Sequence, residues 1–260
     1  MAYKMLDGNE AAVEAMKLAK VQVISAYPIT PQSSMSEKLS ELVASGELKA
    51  EYIRVESEHS ALSVATTAAL TGVRAATATA SNGLALMHEV LSMTSGNRLP
   101  IVMPVVNRGV AAPWTLWCEH GDSMAARDLG WMQFYCQNVQ EVLDLTLLSY
   151  RVAEDARVLT PVMVCLDGFF LSHSMQKLDV PSQESVDDFV GPYKRYNTYL
   201  DPKDPMFCCD LTGSDEFTEM RYQQKYAMDH ALEVFEETVK EFEERFGRKI
   251  NIVEGYKTED

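Results

Sequence analysis

The segment KVQVISAYPITPQSSMSEKLSELV, residues 20–43, contains a strand signal, a stiff loop and a helix signal in direct succession. The run VQVI is apolar and β-branched, which favours a strand, and apolar residues recur at helical spacing after residue 34. Between the two signals, Pro28 and Pro31 enclose Thr30. Proline restricts its own backbone and pushes the preceding residue toward extended geometry, so the Thr30 backbone is preset. We therefore predict a loop that holds the Thr30 hydroxyl in one direction.

The strand-then-helix pattern of this segment repeats along the chain as far as about residue 175. Further strand signals lie at residues 51–57, 74–81, 100–108 and 162–168, with helical periodicity between them and a further helix predicted near 123–132. Alternation at this spacing predicts an α/β fold with a mostly parallel sheet and helices on both faces.

The pattern changes after about residue 175, and we predict a division at residue 180. Residues 1–180 are expected to form the α/β domain. Residues 181–260 are expected to hold an irregular excursion, a helix and a terminal strand that pack on the same domain or on a partner subunit. Helical spacing supports that helix through Leu232, Phe235, Val239, Phe242 and Phe246, with Gly247 as its end.

Composition excludes several classes of function. The formal net charge of the 260 residues is −15, so no basic stripe is available for nucleic acid. No apolar run approaches the roughly 20 residues of a membrane span, and the N-terminal residues show no secretory signal. The five cysteines form no CxxC pair, and no two histidines stand at HxH or HxxxH spacing. We predict a cytoplasmic chain with no membrane or nucleic-acid partner, no metal site and no iron–sulfur cluster of its own.

Polar and charged residues follow most of the predicted parallel strands, where open α/β sheets bind their ligands. They are Thr30, Glu56 to His59, Ser81 to Gly83, Asn107 with Arg108, and the segment 167–170. Arg108 ends a buried strand, and a cation there needs an anion nearby. Glu58 has a second interpretation, since acids in a first helical turn complement the helix dipole. GxxxxGK[ST], GxGxxG and GxSxG are all absent, so the candidate site lacks a phosphate cradle and resembles half of a site.

Several blocks of sequence, in order, resemble one enzyme family. The blocks are YPITPQSS, VESEHSALS, ATASNGLALMHEVL, LPIVMPVVNRG and EHGDSMAARDLGW, and VGPYKRYNTYLDP and EMRYQQKYAMDHALE also fit. They are similar to the α-subunit of pyruvate:ferredoxin oxidoreductase, a thiamine-diphosphate-dependent 2-oxoacid:ferredoxin oxidoreductase. The resemblance implies the thiamine-diphosphate-binding fold and, within it, the domain that holds the pyrimidine side of the cofactor.

The resemblance also assigns roles to three residues. Glu58 matches the glutamate that meets N1′ of the aminopyrimidine and is therefore expected to be catalytic and cofactor-binding. Thr30 matches the threonine that hydrogen-bonds the substrate 2-oxoacid. Arg108 matches the arginine that binds the substrate carboxylate, for which a planar guanidinium is well suited.

The same resemblance implies a multi-subunit enzyme that converts pyruvate, or a close 2-oxoacid, to acyl-CoA and CO2. Thiamine diphosphate would be shared with a diphosphate-binding β-type subunit, which holds Mg²⁺. An iron–sulfur subunit with [4Fe-4S] clusters would pass electrons to ferredoxin, and a γ-type subunit would complete the complex. Family α-chains usually continue past KTED into a second α/β domain, so we expect a split, cleaved or truncated chain and a separate polypeptide with that domain.

Two alternatives remain open at this point. One is a subunit of a non-oxidative thiamine-dependent decarboxylase or synthase, which an iron–sulfur partner would argue against. The other is a non-catalytic scaffold or assembly module that retains the fold, although Glu58, Thr30 and Arg108 are all present.

Overall fold

The computed structural model describes residues 2–194, 196 and 200–258. The strands are β1 (Ala2–Leu6), β2 (Val23–Ala26), β3 (Glu51–Arg54), β4 (Ala75–Ala76), β5 (Val102–Asn107), β6 (Met132–Tyr135), β7 (Val162–Asp167) and β8 (Gln176–Val180). The helices are α1 (Gly8–Leu18), α2 (Ser33–Ala44), α3 (Glu58–Leu70), α4 (Ser81–Leu86), α5 (His88–Gly96), α6 (Gly121–Met124), α7 (Val139–Ala153), α8 (Gln183–Val190) and α9 (Ser214–Phe246).

The parallel strands form two groups that one residue joins into a single sheet. The groups have the orders β3-β2-β4 and β5-β7-β6. Thr79, just beyond β4, forms a parallel bridge with Val105. Its backbone nitrogen donates to the Pro104 carbonyl at 3.2 Å, and its carbonyl accepts from the Val106 nitrogen at 2.9 Å. The carboxyl ends of all these strands therefore lie along one edge.

Helices cover both faces of this sheet, as the alternation within its central strands shows. Val102 and Val162 belong to one apolar core, together with residues of α1, α2 and α7. Met103 and Met163, the next residue along each strand, belong to a second core with residues of α3, α4 and α5. Successive strand side chains point to opposite faces, so two separate cores require two covered faces. The predicted α/β class with a mostly parallel sheet is confirmed.

Side-chain caps begin the helices that lead from the strand ends. Ser57 accepts a hydrogen bond from the Ser60 nitrogen at 3.1 Å, so α3 begins at Glu58. Asn138 caps α7 by accepting from the Glu141 nitrogen at 2.9 Å, as its position before an amphipathic run predicts. The first of these caps places the Glu58 side chain in the first turn, at the edge where the strands end.

Two predicted elements near the middle and end of the chain are wrong. The helix predicted near 123–132 is limited to Gly121–Met124. Residues 125–130 form turns and bends, Gly130 has a left-handed backbone (φ +76°) that a continuous helix excludes, and β6 begins at Met132. The terminal strand predicted after Gly247 is absent from residues 248–258. Its apolar residues have no strand to pair with, and Ile250 packs into the first core instead.

The region 181–260 is more regular than predicted. Residues 183–190 form α8, capped by Ser182, and β8 pairs antiparallel with β1 just before it. The excursion was predicted from about residue 181 to the start of the long helix, so α8 lies within it; the same excursion includes residues 195 and 197–199, which lie outside the described residues. The apolar face assigned to α9 is wrong at Leu232, which is 53% exposed, whereas Val234 is buried. The division at residue 180 stays a prediction.

One buried ion pair ties the first face of the sheet together. Arg74 donates to both carboxylate oxygens of Glu154 at 2.7 Å, and to the carbonyls of Ala19 and Gly191 at 2.7 Å. Both charged side chains are nearly fully buried. The pair therefore joins the ends of α1, α7 and α8 beside β4. Within the described part of the chain, the apolar stretches of the helices are all too short or too polar to cross a bilayer.

Candidate functional site

The Thr30 loop lies at the strand-end edge and is held from two sides. Asn9, fully buried at the start of α1, donates its amide to the Pro31 carbonyl and to the Ser34 hydroxyl, both at 2.8 Å. The Arg108 guanidinium donates to the Thr30 carbonyl at 2.5 Å. Thr30 itself is exposed to solvent. The backbone of this loop is thus satisfied by the protein, and its hydroxyl is left for a ligand.

Arg108 is a buried cation whose guanidinium has an unpaired hydrogen-bond donor in the described structure. Only 6% of the residue is exposed, and its guanidinium lies 5.2 Å from the ring centroid of Trp114. The Nε donor is buried without a partner among the described residues. Burial lowers the pKa of Arg108, while the carboxylates of Asp122 and Glu58 raise it. An unpaired buried donor costs free energy, so this arrangement suits an anionic ligand.

Asp122 organises the ends of β4 and β5 with one carboxylate. It is buried and accepts from the Ser81 nitrogen at 2.9 Å, the Arg108 nitrogen at 3.1 Å and the Asn107 amide at 2.8 Å. Ser81 sits in the left-handed region (φ +49°), an unfavourable conformation for serine that clusters at functional sites. Asp122 therefore supports both the backbone from which Arg108 projects and the start of α4.

Glu58 lies on the backbone of Gly83. A Cβ atom at Gly83 would be 2.7 Å from the Glu58 Oε1 atom and 2.5 Å from the Thr79 Oγ1 atom, so only glycine leaves room here. Glu58 is 7% exposed, and no described residue donates a hydrogen bond to its carboxylate. The Thr79 hydroxyl is also buried and has no hydrogen-bond partner in the described part of the chain. A buried carboxylate without a protein donor is suited to share a proton with a ligand.

The loop between β5 and α6 reaches across to the end of β7. Trp117 packs on Phe169 and Phe170, with ring centroids 5.3 and 5.6 Å apart. The Cys118 thiol donates to the Asp167 carboxylate at 3.0 Å, and the His120 ring nitrogen lies 2.9 Å from the same oxygen. Burial, the hydrogen bond to Asp167 and its negative charge together raise the pKa of the Cys118 thiol to about 12.

The structure brings the three predicted site residues to one edge. Arg108 contacts the Thr30 backbone, and Glu58 is near enough to influence the pKa of Arg108. Sequence reasoning missed Asn9, which forms its contacts through tertiary structure alone. It also missed Asp122, although the Gly-Asp pair in HGDS was a usable signal for a carboxylate at a helix start.

The fold and the polar edge define a class of protein. A solved 2-oxoglutarate:ferredoxin oxidoreductase from Magnetococcus marinus shares the fold, with a TM-score of 0.74 and 18% sequence identity. The alignment covers 89% of this chain and 45% of that one. The chain thus shares the fold of part of that oxidoreductase.

The sequence is specific enough to assign the family. Residues 14–240 match the model described as pyruvate flavodoxin/ferredoxin oxidoreductase, thiamine diP-bdg, and the chain belongs to that family. The resemblance seen in the sequence blocks is confirmed.

Close relatives carry subunit names. The chain is 51% identical over 257 residues to pyruvate synthase subunit PorA of Pyrococcus furiosus, covering 99% of this chain and 65% of the relative. It is 52% identical to the PorA subunit of Methanothermobacter thermautotrophicus, covering 100% and 68%. Ketoisovalerate oxidoreductase subunit VorA of Pyrococcus horikoshii is 46% identical, with 94% and 62% covered. The chain spans about two thirds of the length of these relatives.

Proposed function

We propose that this chain is the α-type subunit of a thiamine-diphosphate-dependent 2-oxoacid:ferredoxin oxidoreductase. The complex would convert pyruvate, or a close 2-oxoacid, and coenzyme A to acyl-CoA and CO2. The proposal rests above all on the Glu58 carboxylate, which is buried on Gly83 with no protein donor and with the Arg108 cation close by. Higher identity to pyruvate synthase subunits than to a ketoisovalerate subunit favours pyruvate as the substrate.

The residues fit the pyrimidine half of the cofactor. Gly83 leaves the space beside Glu58 open, and the Glu58 carboxylate would hold or release a proton at its Oε atoms toward a ring nitrogen. When bound, thiamine diphosphate supplies the carbon nucleophile and the electron sink that decarboxylation needs. We assign no diphosphate or Mg²⁺ ligand to this chain and place both on a β-type partner.

Substrate capture is assigned to Arg108 and Thr30. The guanidinium has an unused Nε donor and would bind the carboxylate of the 2-oxoacid. The Thr30 hydroxyl would donate to the same substrate from a loop that Asn9 and Arg108 hold by its backbone. Because Arg108 bonds both to the loop and to the substrate, it would also set the distance between them.

The remaining parts of the proposed enzyme lie on other chains. Electrons would pass through [4Fe-4S] clusters on an iron–sulfur subunit to ferredoxin, and a γ-type subunit would complete the assembly. The active complex is expected to be cytoplasmic.

The test is purification of this protein with its partners from its native source without oxygen. Mass spectrometry would identify the partners, and a coenzyme-A-dependent assay with a dye acceptor would measure 2-oxoacid oxidation. We expect bound thiamine diphosphate, an iron–sulfur subunit and dye reduction with pyruvate. Isolation of the chain alone, with no thiamine diphosphate and no dye reduction, would contradict the proposal.

Glu58→Gln tests the catalytic assignment within the assembled complex. Loss of the ionisable group should reduce kcat by about 100-fold or more, a typical contribution of proton transfer by a positioned side chain, while thiamine diphosphate still binds. Glu56→Gln is the matched control, since Glu56 is exposed two residues earlier and bonds only the Ser60 hydroxyl in the described structure. An equal loss in both variants, or none in Glu58→Gln, would refute the role of Glu58.

A further inference from the structure

Three side chains with metal-binding atoms converge beside the predicted substrate residues. Cys118 and His120 lie on the loop between β5 and α6, and Asp167 is the last residue of β7. The Cys118 sulfur, a His120 ring nitrogen and an Asp167 oxygen all lie within 4.8 Å of one another. The Cys118 Sγ atom and the His120 Nε2 atom both contact the same Asp167 oxygen, Oδ1, at 3.0 and 2.9 Å.

Neighbouring groups hold these side chains in place. The His120 ring lies 5.1 Å from the Tyr135 ring, whose hydroxyl bonds Ser123 at 3.0 Å. Trp117, which precedes Cys118, packs on Phe169 and Phe170 just after Asp167. The three donors are therefore positioned from both sides by aromatic packing.

The donor set matches one class of cation. Thiolate, imidazole and carboxylate are the three side-chain ligands of Zn²⁺, at about 2.3, 2.0 and 2.1 Å from the ion. Tetrahedral geometry at those lengths places ligand atoms about 3.4–3.6 Å apart, so the present contacts would open by about 0.5 Å. Thiolate and carboxylate together would neutralise the two positive charges of the ion.

We propose that Cys118, His120 and Asp167 bind a divalent metal ion of the zinc class, although the spacing of cysteines and histidines in the sequence predicted no metal site. On binding, the S–H bond of Cys118 breaks, a metal–sulfur bond forms, and the proton passes to solvent. Three protein ligands leave a fourth position for water or another small ligand, and the partial exposure of His120 and Asp167 leaves the ion accessible. Binding of the ion does not depend on the proposed enzymatic function, whereas its effect on the substrate residues rests on that function.

Metal binding would fix the loop that carries Trp114 over Arg108. This loop starts at Arg108, directly after β5, and the ion would connect the other end of the loop, at Cys118 and His120, to the end of β7 at Asp167. Gly168, the residue after Asp167, packs against the Asn107 carbonyl and the Pro31 ring, so the fastening point is next to the Thr30 loop. The ion would therefore act on the position of the substrate residues rather than on the reaction.

The test is titration of the purified, reduced full chain with Co²⁺ without oxygen, followed by displacement with Zn²⁺. We expect a thiolate-to-cobalt charge-transfer band in the near ultraviolet that Zn²⁺ abolishes. Cys118→Ser should remove that band, and His120→Gln or Asp167→Asn should weaken cobalt affinity by about 100-fold or more, at least the loss seen for outer-shell changes. Cys209→Ser is the control, since Cys209 is an exposed cysteine elsewhere.

The outcomes separate the proposal from its alternatives. Absence of the band in the parent protein would overturn it, as would a band that persists in Cys118→Ser or disappears in Cys209→Ser. Circular dichroism and thermal melting would show whether each variant folds. If Cys118→Ser does not fold, His120→Gln decides, because His120 is exposed at the surface and its loss leaves the core intact.

Discussion

Glu58 and Gly83 belong to different helices, but neither can be understood without the other. Glu58 was identifiable from the sequence because an acid in a first helical turn at a strand end is a functional candidate, and the family resemblance gave it a role. Gly83 belonged only to a candidate strand-end segment, Ser81 to Gly83, in which no pattern required a glycine at that position. A Cβ atom at position 83 would lie only 2.7 Å from the Glu58 Oε1 atom, so the site needs a glycine there. This contact joins two separate segments of the chain, and no local sequence pattern reveals it.

Gly83→Ala should displace Glu58 and Thr79. The added methyl group would lie under 3 Å from both side chains, so the carboxylate must move, and overpacking of this kind typically costs about 1–3 kcal/mol. We expect weaker thiamine diphosphate binding and lower kcat in the assembled complex. Gly96→Ala is the control, because a Cβ there meets no atom within 4 Å. Unchanged cofactor affinity and kcat in Gly83→Ala would contradict the proposed contact.

Arg108→Lys tests the substrate-carboxylate assignment. Lysine keeps the charge but loses the planar fork of donors, and a charge-assisted hydrogen bond is worth about 1.5–3 kcal/mol. We expect kcat/KM for pyruvate to fall by about 10–100-fold, mainly through KM. Arg127→Lys serves as the control at an exposed arginine. A KM that does not change would exclude Arg108 from carboxylate binding.

The elements of the parallel sheet were the most predictable part of the fold. β5 and β7 are buried on both faces and appear in the sequence as continuous apolar runs. A short run of this kind between helical segments is most simply explained as a buried strand. Short elements were less predictable. β6 has too few residues for a periodic signal. The helical spacing of Val186, Phe189 and Val190 in α8 was present but was missed among the turn-forming residues around it. The apolar tail after Gly247 looked like a strand because propensity cannot show whether a pairing partner exists. For α9 the spacing predicted the helix but misplaced one residue of its buried face.

Phe242→Ala should strongly destabilise the protein. Phe242 is fully buried between Phe189 and Phe246, with ring centroids 5.5 and 4.6 Å away. Truncating a buried phenylalanine typically costs about 3–5 kcal/mol. Leu232→Ala, on the exposed side of α9, should change the free energy of unfolding by no more than about 0.5 kcal/mol. Denaturant unfolding would measure both, and equal losses would mean that α9 does not pack as described.

The molecule as a whole is a two-faced sheet whose continuity depends on Thr79. The sequence predicted the class and both layers of helices, since these follow from alternation of elements. It did not predict the bridge between Thr79 and Val105 that joins the two strand groups, nor the antiparallel pairing of β1 with β8. Such pairings connect segments far apart in the chain, and the residues involved carry no special side-chain chemistry.

Hydrogen exchange should reveal this organisation. β5 and β7 are central and nearly fully buried, whereas β1 and β8 form a separate two-stranded sheet, and β1 is largely exposed. Local opening costs least where few apolar contacts hold a strand. Mass spectrometry should find the slowest exchange in β5 and β7 and markedly faster exchange in β1. Equal protection of all three would contradict the described core.

The carboxylate of Asp122 has a practical consequence for protein engineering. It holds the backbone at Arg108 and at Ser81, and it stands at the far end of the loop that begins with Gly109. The segment from Val110 to Leu116 can therefore be exchanged as a cassette between pyruvate-type and ketoisovalerate-type relatives. With Asp122 and Trp114 retained, a library of such grafts varies the surface beside Arg108 while the arginine keeps its backbone anchor and its ring contact.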